Sequence, residues 1–124
     1  MRLIKGFTLI ELMVVMAIVA LLLSIAAPRY FKGVDKAREA VLHENLLQTR
    51  QALDKYFSDN NKYPDALDEL VNKKYLRTLP VDPITGSSDS WIIVAPDNAD
   101  QGAVFDIRSG APGMARDGTL YKDW

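Results

Sequence analysis

Glu11 is the one ionisable side chain in an otherwise apolar run, residues 7–28, and its chemistry is that of a carboxylate in need of a cation. Between Leu12 and Ala27 the only polar side chain is Ser24. A run of this length covers the roughly 20 helical residues that cross a hydrocarbon core. An ionisable group there costs roughly 2.5–3.5 kcal/mol on insertion scales, so something must compensate Glu11. The preceding residues offer a means. Residues 1–6 form a short leader with two cations, Arg2 and Lys5, and close on the small residue Gly6. Cleavage after Gly6 would place a new α-amino group on Phe7. That ammonium would lie about one helical turn from Glu11 of its own chain. It would be equally level with Glu11 of a neighbouring helix shifted along the axis.

Other residues able to do chemistry are few. His43 is the only histidine; it sits beside Glu44 on the polar side of a helical pattern and receives no role. There is no Ser/His/Asp arrangement, no glycine-rich phosphate loop and no pair of acids on predictable neighbouring elements, so no catalytic site is read and the protein is taken as a non-enzyme. The chain has no cysteine, which removes disulfides and thiolate metal sites. A formal net charge of −1 gives no basic surplus for nucleic acid. Asp117-Gly118-Thr119 with Asp123 could offer hard oxygens to Ca²⁺, which takes about 6–8 of them. The spacing is not that of an EF-hand, and on these residues alone an Asp-Gly turn with a surface Asp123 is the simpler reading.

The elements that must position these groups follow from periodicity. Residues 29–58 carry apolar side chains at Val34, Ala37, Val41, Leu42, Leu46, Ala52, Leu53, Tyr56 and Phe57, mostly three or four apart, which is an amphipathic helix. Asp35, Lys36, Arg38 and Glu39 alternate in sign and read as its solvated face. The apolar run and this segment make one long helix, with Pro28 as the expected kink because it removes a backbone hydrogen bond. With Gly33 nearby, residues 24–33 are its weakest part. The aromatics Phe7, Tyr30, Phe31, Tyr56 and Phe57 sit at helical positions and are read as packing groups. Residues 58–61 are a turn cluster, and Pro64 opens a short helix ending near Lys73-Lys74. Pro80 and Pro83 around Asp82 make residues 75–83 an irregular crossing segment. Residues 91–95 and 103–108 read as two strands joined by a loop at 96–102. Such a sheet must pack on the helix, giving an α+β fold. The tail, residues 109–124, has little to bury and needs a clamp.

Lys5-Gly6-Phe7-Thr8-Leu9-Ile10-Glu11-Leu12 resembles the class III signal of type IV pilins and type II secretion pseudopilins. The resemblance implies cleavage between Gly6 and Phe7 by a prepilin peptidase, N-methylation of Phe7, and Glu11 as the assembly glutamate. Pro28 falls where that family places a helix proline. The order Tyr-Pro, short helix, Tyr-Leu and Leu-Pro-x-Asp-Pro also resembles the major pseudopilin of type II secretion, although Ile84-Thr85-Gly86 stands where Trp-Gly is common. It implies a prepilin leader at 1–6, a transmembrane and polymerisation helix at 7–28, and a globular head at 29–124. The implied setting is a single-pass inner-membrane protein with a periplasmic head. Its implied partners are further copies in a helical homopolymer, the prepilin peptidase, minor pseudopilins and an assembly platform. Resemblance to calcium-dependent major pseudopilins also raises the case for Ca²⁺ at Asp117 and Asp123.

Two alternatives stand beside this reading. A type IV pilus pilin would usually show a cysteine pair closing its C-terminal loop. A secreted or membrane-anchored binding module would need ordinary signal-peptidase cleavage after Ala26, in the small-x-small pattern Ser24-Ile25-Ala26. Glu11 interrupts the uncharged region such a signal requires.

Overall fold

A computed structural model describes residues 5–124. Arg2 and most of the expected leader lie outside the described residues. The chain divides into two compact units, the first ending at Asp35 and the second running Lys36–Trp124. A single helix, α1 (Leu9–Asn60), contributes to both, with Pro28 inside it. Its first part carries apolar side chains that are exposed throughout, from Leu9 to Ile25. Its end is set by Asn61, which takes the left-handed conformation (φ 57°) and donates its N–H to the Phe57 carbonyl at 2.8 Å. Asparagine tolerates that conformation better than most residues, so the turn cluster stops the helix at Asn60, two residues beyond the expected end at 58.

In the second unit α1 buries Leu42, Leu46, Thr49, Ala52, Leu53 and Tyr56. They pack against Leu70, Trp91, Val104 and Ile107. Each large aliphatic side chain removed from water here contributes about 1.5–3 kcal/mol. Two expectations about this face fail. Val41 remains half exposed, and Glu39, expected on the solvated face, is buried at 7% exposure. The cause is the tail, which covers the helix at Glu39 and supplies Arg116 as its partner.

The short helix α2 is only Glu69–Asn72. Pro64 does not open it, because the intervening residues form tight turns in which the N–H groups of Glu69, Leu70 and Val71 donate to carbonyls three residues back, each at 3.1 Å. The Tyr56 hydroxyl donates to the Glu69 carboxylate at 2.9 Å and fixes α2 to α1. The crossing segment is irregular as expected and is anchored at Pro80 and Val81. Asn45 donates to the Val81 carbonyl at 2.8 Å, and the Trp91 indole donates to the Pro80 carbonyl at 2.8 Å.

Strands β1 (Ile92–Val94) and β2 (Asp106–Arg108) pair antiparallel, with Ile92 opposite Arg108, Ile93 opposite Ile107 and Val94 opposite Asp106. Both are shorter than the apolar runs that announced them. The connecting loop is held by the segment after α1 instead of by the ladder: Tyr63 N–H donates to the Gln101 carbonyl at 2.6 Å, and the N–H groups of Ala103 and Val104 donate to the Pro64 carbonyl at 3.2 and 3.0 Å. Those backbone groups cannot also join the sheet. The tail is also less bare than its composition indicates. Ser109, Ala111 and Ala115 are buried, and Tyr121 and Trp124 pack at the edge of the core.

Candidate functional site

The start of α1 is built from Thr8 and Glu11. Glu11 N–H donates to the Thr8 hydroxyl at 3.2 Å, and Thr8 N–H donates to the Glu11 carboxylate at 2.8 Å. This is a reciprocal capping box, in which two otherwise orphaned helix donors are satisfied by one Thr/Glu pair. The negative charge also sits at the positive end of the helix dipole. Glu11 therefore has a local role that the sequence reading missed, although Thr-x-x-Glu ahead of an apolar run is a recognisable signal. Lys5, Gly6, Phe7 and Glu11 line one small recess of about 250 Å³. Phe7 is 83% exposed, and among the described residues Glu11 has no ion-pair partner. A Cβ placed on Gly6 would meet nothing within 4 Å, so nothing in this fold demands a glycine there.

Beyond the cap, α1 is long and apolar enough to cross a membrane, with a mean hydropathy of 2.8 over its most apolar window and none of that window buried. Ser24 does not interrupt it, because its hydroxyl donates to the Leu21 carbonyl at 2.6 Å. Tyr30 and Phe31 touch each other edge-on at 5.8 Å and are otherwise exposed, whereas Tyr56 is buried and Phe57 stacks on Tyr63 at 4.5 Å. Packing within the chain accounts for only the second pair.

At the tail, Asp117 Oδ1 accepts from the Thr119 N–H at 3.0 Å and the Thr119 hydroxyl at 2.6 Å. These two bonds, the hydroxyl first, hold the Asp117 carboxyl below its usual range, with His43 adding a smaller electrostatic effect. Asp123 lies on the surface, in the turn Tyr121–Asp123. Calcium would need about 6–8 oxygens here. The carbonyls of Gly113, Ala115, Thr119, Leu120 and Tyr121 already accept main-chain N–H groups. Among the described residues no three acidic, histidine or cysteine side chains come together in a way that could hold a metal ion. The donor set around Asp117 and Asp123 does not fit a calcium cage.

What the tail does have is Glu39. Its Oε1 accepts from Arg116 N–H at 2.9 Å and from the Tyr121 hydroxyl at 3.2 Å, and its Oε2 accepts from Arg116 Nε at 3.0 Å. Burial alone would raise its pKa, but these hydrogen bonds and the guanidinium charge outweigh it and lower the pKa below the ordinary value. His43, assigned no role from sequence, stacks its ring on Trp124 at 3.9 Å. Arg50 donates to Asp106 at 2.8 Å, to the Ile107 carbonyl at 3.2 Å and to the main-chain oxygen of Trp124. No local pattern announces any of these pairs.

Residues 1–27 match the family described as the prokaryotic N-terminal methylation motif. The type II secretion system core protein G of Klebsiella michiganensis is 32% identical over 91% of this chain and 89% of its own. The chain belongs to the type II secretion core protein G family. The core protein G of Escherichia coli is likewise 32% identical, over 87% of this chain and 81% of that protein. The type IV major pilin PilA of Myxococcus xanthus is 36% identical over 53% of this chain but only 30% of its own length. Core protein G likeness thus extends through the head, while pilin likeness covers about half the chain. No solved structure matches. None of the relatives named here is described as an enzyme.

Proposed function

We propose that this protein is the structural subunit of a helical pseudopilus filament that acts in type II protein secretion. A prepilin peptidase cuts between Gly6 and Phe7 and methylates the new amine. The subunit waits in the inner membrane on α1 with its head in the periplasm. An assembly platform then extracts it, and minor pseudopilins join the same filament. Subunits bury their exposed apolar helices side by side, in a heterologous contact that does not close on itself and so grows as a filament. Glu11 meets the Phe7 amine of the next copy and sets the register. The polymer is non-enzymatic.

The observation that carries this reading is an apolar helix exposed along its first half, with its single carboxylate capped in place at the start and without an ion-pair partner among the described residues. Membrane insertion alone explains the apolar side chains and leaves Glu11 uncompensated; assembly explains both. The likeness to a type IV major pilin supports a surface-pilus role as the second reading. Deleting the gene separates the two: exported proteins accumulate in the periplasm on the first, and surface pili vanish on the second.

The capping box sharpens the test of Glu11. Glutamine can still reach back to the Thr8 N–H, so Glu11→Gln keeps the helix cap and removes the charge. The variant should be processed and inserted normally yet fail to polymerise. Filaments at the wild-type level from it would refute the pairing.

A further inference from the structure

The tail has a folding problem that its apolar content solves only in part. Gly113 and Gly118 adopt positive φ (95° and 88°), Met114 bridges Leu120, and the fully buried apolar residues are only Ala111 and Ala115, with Tyr121 and Trp124 partly buried at the edge of the core. Alanine buries little surface and the two rings are only partly covered, so polar contacts supply much of the order of this loop. We infer that a protein-only latch, Glu39 of α1 gripping Arg116 and Tyr121, fastens the tail in place of a metal ion, and that this subunit keeps its C-terminal loop without calcium. The inference concerns the fold of the head and stands whether or not the filament reading does.

Three fastenings lie along one side of α1. His43 and Arg50 lie four and eleven residues after Glu39, which returns to nearly the same angle on a helix. Glu39 takes both the main-chain N–H and the Nε of Arg116, so it fixes that residue's position and its orientation at once. A lysine, with no guanidinium fork, could not be aligned in this way. Tyr121 adds its hydroxyl from the far side of the turn. His43 covers the Trp124 ring, and Arg50 holds the Trp124 main-chain oxygen.

The expected calcium ligand has another occupation. The Trp124 indole N–H donates to the Thr119 hydroxyl at 2.7 Å, and that hydroxyl donates onward to Asp117 at 2.6 Å. Asp117 is the terminal acceptor of a relay that orients Trp124 against His43. A cation at Asp117 Oδ1 would compete with both Thr119 donors for that oxygen and so weaken the relay. The same carboxylate thus serves the latch as it stands.

The test uses the full processed chain in detergent micelles, melted while near-UV circular dichroism follows its two tryptophans, in excess calcium chloride and in EGTA. Amide hydrogen exchange over residues 111–124 reports the tail separately. The wild type should melt within about 1 °C in the two buffers, because a ligand that does not bind the native state cannot shift its stability. Glu39→Gln should speed exchange in the tail at least about tenfold while leaving the core amides of α1 slow. Arg116→Met, at a half-exposed side chain, should do the same and keeps the test alive if the first variant folds poorly. A calcium-dependent rise in the wild-type melting temperature that Asp117→Asn abolishes would overturn the inference. So would tail exchange unchanged in both latch variants.

Discussion

Asp82 is fully buried, and its replacement tests how the head is tied together. One carboxyl oxygen accepts the Ile84 N–H at 2.8 Å and, more weakly, the Thr85 N–H at 3.4 Å; the other accepts the Ser109 hydroxyl at 2.5 Å. It thereby joins the crossing segment to the first residue of the tail. Asp82→Ala removes all of these acceptors and strands the Ile84 N–H and the Ser109 hydroxyl away from water. Each buried donor left unsatisfied costs about 1–3 kcal/mol, so stranding these two should cost about 2–6 kcal/mol. For a domain of this size about 1 kcal/mol moves the melting temperature by roughly 4–8 °C, which predicts a fall of at least about 8 °C. Asp82→Asn keeps one oxygen for Ile84 and offers an amide to the Ser109 hydroxyl, which can act as acceptor, so it should lose about half as much. Thermal melts of the processed chain in detergent, read at Trp91 and Trp124, measure both. An alanine variant within about 4 °C of wild type, or an asparagine variant as damaged as alanine, would refute the assignment of Asp82 as a hydrogen-bonded tie.

Two glycines should respond in opposite directions. A Cβ on Gly102 would sit 2.1 Å from the Tyr63 carbonyl oxygen, at φ +104°, so Gly102→Ala must break the loop's backbone bonds and should cost at least about 3 kcal/mol. Gly33 is helical with open space around it, so Gly33→Ala should stabilise α1 by about 0.5–1 kcal/mol; equal melting temperatures for the two variants would contradict both arguments. The latch also has a pH signature. Since the folded pKa of Glu39 is lowered, its contribution is present above the unfolded carboxylate value of about 4.3 and is lost as the pH falls through the lower folded value. The melting-temperature gap between wild type and Glu39→Gln should therefore be full at neutral pH and shrink in acid below about pH 4. A gap that is the same in both conditions would place the stabilisation elsewhere.

Much of this protein was legible in its sequence because the signals are local. An apolar run with one acid, a three-four spacing from Leu42 to Tyr56, and two β-branched stretches each point to an element within a few residues. The same logic explains the overextended elements. Residues 103 and 104 read as strand, but the distant Pro64 carbonyl claims their N–H groups. Glu39 was misplaced because its partner Arg116 lies 77 positions away. Charge alternation on a helix reads as solvent exposure unless something covers it. Asp82 and His43 escaped for the same reason, since their roles are made by Ser109 and Trp124 from the tail. Thr8 is different: its Thr-x-x-Glu signal was present and lay hidden beneath the interest in Glu11 as an assembly residue.

The central claim is that processing after Gly6 creates the cation that Glu11 lacks. Intact mass and N-terminal sequencing of the protein recovered from purified filaments test it most directly. The account predicts a chain beginning at N-methylated Phe7 with α1 retained. A chain that still begins at Met1, or a soluble one that begins at Ala27, would contradict it.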